Sequence, residues 1–134
     1  MTSSSGYLTD TSIFIAAERR SETRAVPEGK ARISVVTLTE LTIGLKAASD
    51  EAAVAVRTRT LEKANRFVAL PYDEPVARAL ADLLFAARRM KRRASMADAI
   101  IAATALVHDL TVWTRDDDFE VLAELGSGLR VARA

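Results

Sequence analysis

Cysteine is absent from this 134-residue sequence, and histidine occurs only once, as His108. Without cysteine, the chain cannot form a disulfide scaffold, a thiolate nucleophile, a zinc ribbon or an iron–sulfur cluster. A single histidine also excludes any site that needs two imidazole ligands. A metal site in this protein would therefore have to be built from oxygen ligands, which suit hard cations.

Long apolar runs and an excess of charge of one sign are missing as well. The longest apolar runs, such as residues 99–107, fall far short of the ~18 residues of a membrane span. The first six residues have no basic or apolar segment, so we expect no signal peptide and a cytoplasmic protein. The 19 basic and 18 acidic residues leave a formal net charge of +1. Any attraction to nucleic acid must therefore come from local clusters of charge.

What the chain does have is a regular alternation of short β-branched segments with helical segments. Strands are predicted at residues 7–9, 32–36, 67–70, 110–114 and 129–131. Helices are predicted at residues 12–17, 37–48, 51–65, 73–89, 97–109 and 119–125. The alternation predicts an α/β fold, with a mainly parallel five-stranded sheet flanked by helices in three αβα layers. We expect a flexible N-terminal tail over residues 1–6 and a single domain over residues 7–134.

Four acidic residues share one structural context. Asp10 follows the first predicted strand, and Asp116 follows the fourth. Glu40 and Asp98 each lie in the first turn of a predicted helix. Because strand ends and the starts of the following helices gather along one edge of a parallel sheet, these acids can converge in one pocket.

A simpler interpretation is that these acids only complete their own helices. Residues Ser95 to Asp98 fit a capping box, and so do Thr37 to Glu40. Asp10 fits the N-cap position of the helix that follows it. Acids in a first turn also complement the helix dipole.

The surroundings of Asp98 favour the pocket over the simpler interpretation. The residues that follow it, 99–107, are apolar nearly all round, which predicts a buried helix. Carboxylates crowded into a partly buried pocket repel one another and lose hydration, so they take up protons or bind a divalent cation. Oxygen-only ligands favour Mg²⁺ or Mn²⁺, either of which can orient a phosphodiester and lower the pKa of a bound water.

Four segments resemble, in the same order, the motifs of PIN-domain proteins, namely residues 7–15 (YLTDTSIFI), 33–41 (ISVVTLTEL), 98–103 (DAIIAA) and 114–119 (TRDDDF). The resemblance covers nearly the whole chain and is greatest to the VapC-type toxins of bacterial toxin–antitoxin pairs. It implies a PIN-like fold and a Mg²⁺-dependent endoribonuclease, for which Mn²⁺ can substitute. It also implies a homodimer that is inhibited by a small VapB-type antitoxin, whose C-terminal segment covers the acidic pocket.

Carried over position by position, the resemblance implies a catalytic and metal-binding quartet of Asp10, Glu40, Asp98 and Asp116. Asp10 and Asp98 are the direct ligands in this interpretation, with Asp116 as a third. Glu40 would help to hold a second ion or position the attacking water.

Three further residues are assigned accessory roles by the same resemblance. Ser12 and Thr114 match accessory hydroxyl positions, although many relatives have asparagine where this chain has Ser12. Because residues 116–118 are three consecutive aspartates, the register of the fourth acid is open. Asp116 fits that position best, and Asp118 is the alternative or shares the work through water.

The densest basic run lies just before the helix that begins near Asp98. Its arginines are Arg88, Arg89, Arg92 and Arg93. Because an acidic centre repels RNA, a local basic patch is required to bring RNA to it, and we predict that these residues contact phosphates. The alternative is a solvated helix end whose cations complement the helix dipole.

Two other functions remain open from the sequence. A Mg²⁺-dependent phosphotransfer or phosphohydrolase domain also places acids at strand ends, but no lysine of this chain lies at a clear strand end. Trapping a phosphorylated Asp10 would support that function. In a non-catalytic binding module all the acids would be caps, and the protein would take up no stoichiometric Mn²⁺.

Overall fold

Five parallel strands form the centre of the protein in a computed structural model that describes residues 6–20 and 26–134. The strands are β1 (Tyr7–Thr9), β2 (Ala31–Ser34), β3 (Val68–Leu70), β4 (Thr111–Thr114) and β5 (Val131–Arg133). Their order in the sheet is β3-β2-β1-β4-β5, and every neighbouring pair is parallel. The connections lead to opposite sides of β1, so the strand order switches between β1 and β4. In open α/β sheets, ligands bind in the crevice at the carboxyl ends of the strands at such a switch.

Helices cover both faces of the sheet, which confirms the predicted three-layer α/β fold. They are α1 (Thr11–Glu18), α2 (Val35–Ala47), α3 (Glu51–Ala64), α4 (Glu74–Arg89), α5 (Met96–Val107) and α6 (Asp118–Leu122). A short π-helical segment, Ala123–Ser127, follows α6. Among the described residues, no helix has both the length and the apolar character needed to cross a membrane.

Two hydrophobic cores lie on opposite faces of the sheet. The larger one packs strand residues such as Leu8 and Val112 against α4, α5 and α6. The smaller one packs Ile33 against residues of α1, α2 and α3. As the apolar run predicted, α5 is buried: Ala99, Ile101, Ala102, Ala103 and Ala105 are fully inaccessible. Because α5 packs tightly, it fixes the position of the acid in its first turn.

Short polar side chains begin most of the helices. The N-caps of α1, α2, α3, α4 and α5 are Asp10, Ser34, Asp50, Asp73 and Ser95. Each side-chain oxygen accepts a hydrogen bond from a backbone N–H two or three residues further on, as N-caps do. The capping interpretation is therefore correct for Asp10 and for Ser95, and it does not prevent Asp10 from having a second role.

The boundary between β2 and α2 differs from the prediction. We predicted a strand to residue 36 and a capping box over residues 37–40, but the strand ends at Ser34 and α2 begins at Val35. The Ser34 hydroxyl accepts a hydrogen bond from the Val36 N–H at 3.0 Å and thereby starts the helix. Glu40 consequently lies in the second turn of α2 and not in the first.

The C-terminal elements also differ in position. We predicted the last strand at residues 129–131, but β5 begins two residues later, and Leu129 is a buried core residue. The last predicted helix, residues 119–125, stops being α-helical after Leu122. Gly126 and Gly128 adopt positive φ angles of 76° and 80°, which turn the chain back toward the sheet. Glycine takes such angles without steric cost. The turn that these two glycines form extends further along the chain than the apolar pattern predicted, and β5 therefore begins later.

Gly6 belongs to the fold and not to the tail in which we placed it. Its φ is +117°, and its carbonyl accepts a hydrogen bond from the Thr111 N–H at 3.2 Å. A Cβ at this position would collide with the carbonyl oxygen of Lys30, so only glycine fits. The rest of the expected tail, residues 1–5, lies outside the described residues.

Candidate active site

Asp10 lies at the switch point of the sheet, directly after β1, and is only 3% exposed. Its Oδ2 accepts hydrogen bonds from the Ser12 hydroxyl at 2.6 Å, the Thr114 hydroxyl at 2.8 Å and the Ser12 N–H at 3.3 Å. Burial raises the pKa of Asp10, and these hydrogen bonds oppose the rise. The two predicted accessory hydroxyls, those of Ser12 and Thr114, thus orient this carboxylate.

Hydroxyl groups join the end of β1 to the loop after β4. The Thr114 hydroxyl, which donates to Asp10, also accepts from the Asp116 N–H at 2.9 Å. The Ser12 hydroxyl accepts from the Arg115 N–H at 3.0 Å. These contacts hold the loop that carries the fourth predicted acid against the start of α1.

Three carboxylates come together beside this junction. Asp98, Asp116 and Asp118 each offer an oxygen within 4.8 Å of the others. We call this group the carboxylate trio. The side chain of Asp116 also accepts a hydrogen bond from the Asp118 N–H at 3.0 Å, which sets the geometry of the turn. Both candidates for the fourth acid are therefore members of the group.

The charge of the trio is not balanced by an ion pair with any residue that the structure describes. None of the three carboxylates forms an ion pair within residues 6–20 and 26–134. Burial raises the pKa of Asp98 to about 6, and repulsion from the carboxylates of Asp10, Asp116 and Asp118 adds to the rise. A hydrogen bond with Ser95 opposes it. The site therefore carries an electrostatic strain that a cation would relieve.

Glu40 lies outside the trio. Its Oε1 accepts a hydrogen bond from the Thr11 hydroxyl at 2.6 Å, and that hydroxyl also lies 3.0 Å from the hydroxyl of Thr37. Thr11 is the first residue of α1, directly after Asp10. The structure thus links Glu40 to the start of α1 through a residue that the sequence analysis did not select. The position of Thr11 directly after Asp10 is the sequence feature that could have indicated its role.

The trio fits a hard divalent cation. Its donors are carboxylate oxygens from the start of α5, from the loop after β4 and from the start of α6; Asp98 and Asp116 are partly exposed, and Asp118 is exposed. Mg²⁺ and Mn²⁺ prefer such donors and commonly keep several waters, which a half-open site allows. Asp10, which we predicted as a direct ligand, is not a member of this group; it is buried and orders the loop after β4 through Thr114.

The predicted RNA-binding arginines lie on the last turn of α4 and on the loop to α5. Arg92 forms an ion pair with Glu124 at 2.9 Å, and the guanidinium of Arg89 stacks over the ring of Phe85 at 5.8 Å. Arg88 and Arg93 are exposed. A contact between this run and RNA stays a prediction.

A second basic feature, which the sequence analysis missed, lies next to Ser12. A cleft of about 440 Å³ is lined by Ser12, Ile15, Ala16, Arg19 and Arg115. Neither arginine has an ion-pair partner in the described part of the chain. Arg19 and Arg115 are 96 positions apart, so only folding brings them to one cleft.

These features define an α/β domain with a carboxylate site at the switch point of a parallel sheet. The chain belongs to the PIN-domain family, whose profile matches residues 7–125. It is 39% identical over 122 residues to a Mycobacterium tuberculosis protein named Ribonuclease VapC4, covering 88% of this chain and 92% of the relative. It is also 39% identical over 115 residues to Ribonuclease VapC5 of the same species, covering 84% of each chain.

A solved structure has the same fold. The crystal structure of a member of the VapBC family of toxin–antitoxin systems, VapBC-5 from Mycobacterium tuberculosis, matches with a TM-score of 0.87 and 33% identity. The match covers 97% of this chain and 99% of that one. The resemblance that the four motifs carry is therefore confirmed.

Proposed function

We propose that this protein is a metal-dependent endoribonuclease that acts as the toxin of a VapBC-type toxin–antitoxin pair. The observation that carries the proposal is the carboxylate trio beside Asp10, at the point of the sheet where ligands bind. The relatives named as ribonucleases and the structural neighbour from a toxin–antitoxin system support it. We also propose that the protein acts in the cytoplasm, where it would meet its RNA substrate.

In this function, Asp98, Asp116 and Asp118 would hold Mg²⁺ or Mn²⁺, with Asp10 beside them. A bound cation of this kind lowers the pKa of a bound water and neutralises charge on the phosphodiester. Ser12 and Thr114 hold the Asp10 carboxylate in place. Glu40, whose Oε1 accepts a hydrogen bond from Thr11, would help to hold a second ion or position the attacking water. In this mechanism water would attack phosphorus and lose a proton to solvent, the bond from phosphorus to the leaving oxygen would break, and that oxygen would take up a proton, with no covalent intermediate.

RNA must reach a centre of negative charge, so the phosphates on either side of the scissile one need cations. We assign that role to two groups of arginines. One is the predicted run Arg88, Arg89, Arg92 and Arg93, and the other is the pair Arg19 and Arg115 in the cleft beside Ser12. Binding should weaken steeply with salt, because each phosphate contact releases counterions.

The phosphotransfer alternative is disfavoured by the state of Asp10. An aspartate that accepts a phosphoryl group must present a free oxygen to the substrate, whereas Asp10 is buried and its Oδ2 already accepts three hydrogen bonds. The alternative in which all acids are caps is disfavoured by Asp116 and Asp118. These two carboxylates face Asp98 although repulsion opposes it.

The decisive experiment measures cleavage of a fluorescent RNA by purified protein with Mg²⁺, with Mn²⁺ and with EDTA. We expect cleavage with either cation and none with EDTA. The Asp10→Ala/Asp98→Ala variant should be folded, by circular dichroism, and inactive. Full activity in that folded variant would refute the mechanism, and a phosphorylated Asp10 would favour the phosphotransfer function.

We also propose two protein partners, a VapB-type antitoxin and a second copy of this chain. The α2–α3 hairpin exposes Ile43 and Val54, at 60% and 40%, and such apolar residues suit a docked antitoxin segment. Co-expression with the product of a neighbouring antitoxin gene should yield a complex that does not cleave RNA. Light scattering on the free protein should give twice the monomer mass. A monomer would contradict the homodimer but not the nuclease.

A further inference from the structure

Arg133, the last residue of β5, contacts the loop that follows β4. Its Nη1 donates to the carboxylate of Asp117 and, at 3.3 Å, to Oε1 of Glu120. Its Nη2 donates to the carbonyl oxygen of Arg115 at 3.0 Å. One guanidinium therefore joins two acidic side chains and a backbone carbonyl within residues 115–120, the segment that runs from the loop after β4 into α6.

The same segment contains the three consecutive aspartates, and Arg133 forms an ion pair only with the middle one. The carboxylates of Asp116 and Asp118 lie with Asp98 in the trio, whereas the carboxylate of Asp117 is paired with Arg133 and is 83% exposed. Three identical side chains in a row are thus divided by a cation from a different strand. The repeat of three aspartates does not by itself show which of them face Asp98 and which one pairs with an arginine.

We propose that Arg133 is a positioning residue, which holds Asp117 away from the metal site and fixes the turn so that Asp116 and Asp118 face Asp98. The inference rests on the proposed function, since it assumes that the trio binds a divalent cation. Without Arg133, Asp117 would lose its ion-pair partner and the carbonyl of Arg115 would lose its donor, so the turn that carries Asp116 and Asp118 would be less ordered. The ligands would then have to be ordered when the cation binds, which lowers affinity.

The contacts suit a positioning role better than a stabilising one. The side chain of Arg133 is 38% exposed and that of Glu120 is 54% exposed, and exposed ion pairs contribute little to folding. The planar guanidinium can join two carboxylates and a carbonyl at once, which the single ammonium group of lysine cannot reproduce. Arg133→Gln should therefore change the metal site more than it changes the stability of the fold.

The test is Mn²⁺ binding to metal-free protein, measured by electron paramagnetic resonance without RNA. We expect the Kd of Arg133→Gln for Mn²⁺ to rise about tenfold, as is common when a group behind a ligand is lost. Arg133→Lys should fall between this variant and the wild type. The matched control is Arg130→Gln, since Arg130 precedes β5 and pairs with Asp109 at the other end of β4. Its Kd should stay within about twofold, and both variants should lower the Tm of the metal-free protein only slightly and by similar amounts, because both lose exposed ion pairs.

Coupling to Asp117 sharpens the test. If Arg133 acts through Asp117, the double variant Arg133→Gln/Asp117→Asn should bind Mn²⁺ no more weakly than Arg133→Gln alone. Additive losses would overturn this role, as would an unchanged Kd in Arg133→Gln or an equal loss in Arg130→Gln. These outcomes leave the nuclease proposal intact, because they are measured against a wild type that binds Mn²⁺. A wild type that takes up no Mn²⁺ would instead overturn both proposals.

Discussion

The acidic residues near the two ends of β4 differ in whether an arginine forms an ion pair with them. At the amino end, Asp109 forms an ion pair with Arg130 at 2.9 Å, and the same guanidinium donates to the Asp109 carbonyl at 3.0 Å. At the carboxyl end, the trio has no cationic partner among the described residues, although Arg133 is near enough to pair with Asp117. Cations are thus available at both ends. This difference between the two ends supports the proposed metal site at the carboxyl end.

The largest expected difference between the two ends is in catalysis. Asp98→Asn removes one charge from the trio and should lower the rate of RNA cleavage by more than about 100-fold, because charge stabilisation by the metal is worth several kcal/mol. Asp109→Asn removes one charge at the other end and should leave the rate within about twofold. Cleavage of a fluorescent RNA by both variants measures the ratio. Similar losses in the two variants would contradict our assignment of the site.

Loss of a threonine hydroxyl should change the free energy of unfolding more at the carboxyl end of β4 than at the amino end. Thr114 is fully buried and links Asp10 to the Asp116 N–H, so Thr114→Val leaves both groups short of a partner. We expect a loss of about 1–3 kcal/mol in the free energy of unfolding. Thr111→Val, at the amino end, removes only a long 3.4 Å contact with Arg130 and should cost less than about 0.5 kcal/mol. Urea denaturation of both variants gives the comparison, and equal losses would show that the Thr114 network is not special.

The pH dependence of stability should also differ between the ends. Because the pKa of Asp98 is about 6 in the folded protein and near 3.8 when unfolded, the folded state binds more protons between these values. Stability without metal should therefore fall as the pH rises from about 4 to 6. Asp98→Asn should remove that fall and stabilise the protein at pH 7.5 by about 1 kcal/mol, a value reduced for the partial exposure of the carboxyl.

Asp109→Asn is the control for this pH effect, since Asp109 loses an ion pair and should not stabilise the protein at any pH. Thermal unfolding in EDTA between pH 4 and 8 measures both variants. Added Mn²⁺ should raise the stability of the wild type at pH 7.5, and it should raise the stability of Asp98→Asn by less. A wild type that becomes steadily more stable from pH 4 to 6 in EDTA would argue against a strained trio.

The smallest expected effect is that of the ion pair at the amino end. Arg130→Gln breaks an exposed pair whose side chains are 51% and 67% accessible, and such pairs contribute about 0–1 kcal/mol. The loss in Tm should shrink further in 1 M salt, where exposed charges are screened. Scanning calorimetry at low and high salt measures it. A large loss that persists in salt would mean that the pair acts through packing and not through charge.

Local signals in the sequence were sufficient where neighbouring residues decide the outcome. The β-branched segments predicted all five strands, and the capping residues Asp10 and Ser95 correctly marked the starts of α1 and α5. The boundary at α2 was missed because a single hydroxyl, that of Ser34, starts the helix within a segment that is β-branched throughout. The start of β5 was missed because pairing with β4 selects its residues, and pairing is not a local property.

In the candidate site, too, some features follow from the local sequence and others only from the tertiary structure. The sequence by itself determined which acids follow strands or open helices, since periodicity and turn residues place Asp10, Asp98 and Asp116 relative to their own elements. Only the tertiary structure decided that Asp118 joins Asp98 and Asp116, that Asp117 turns to Arg133, and that Glu40 is held by Thr11. The physical reason is that repulsion and pairing between charges depend on distance in space, and residues far apart in sequence acquire those distances only when the sheet forms.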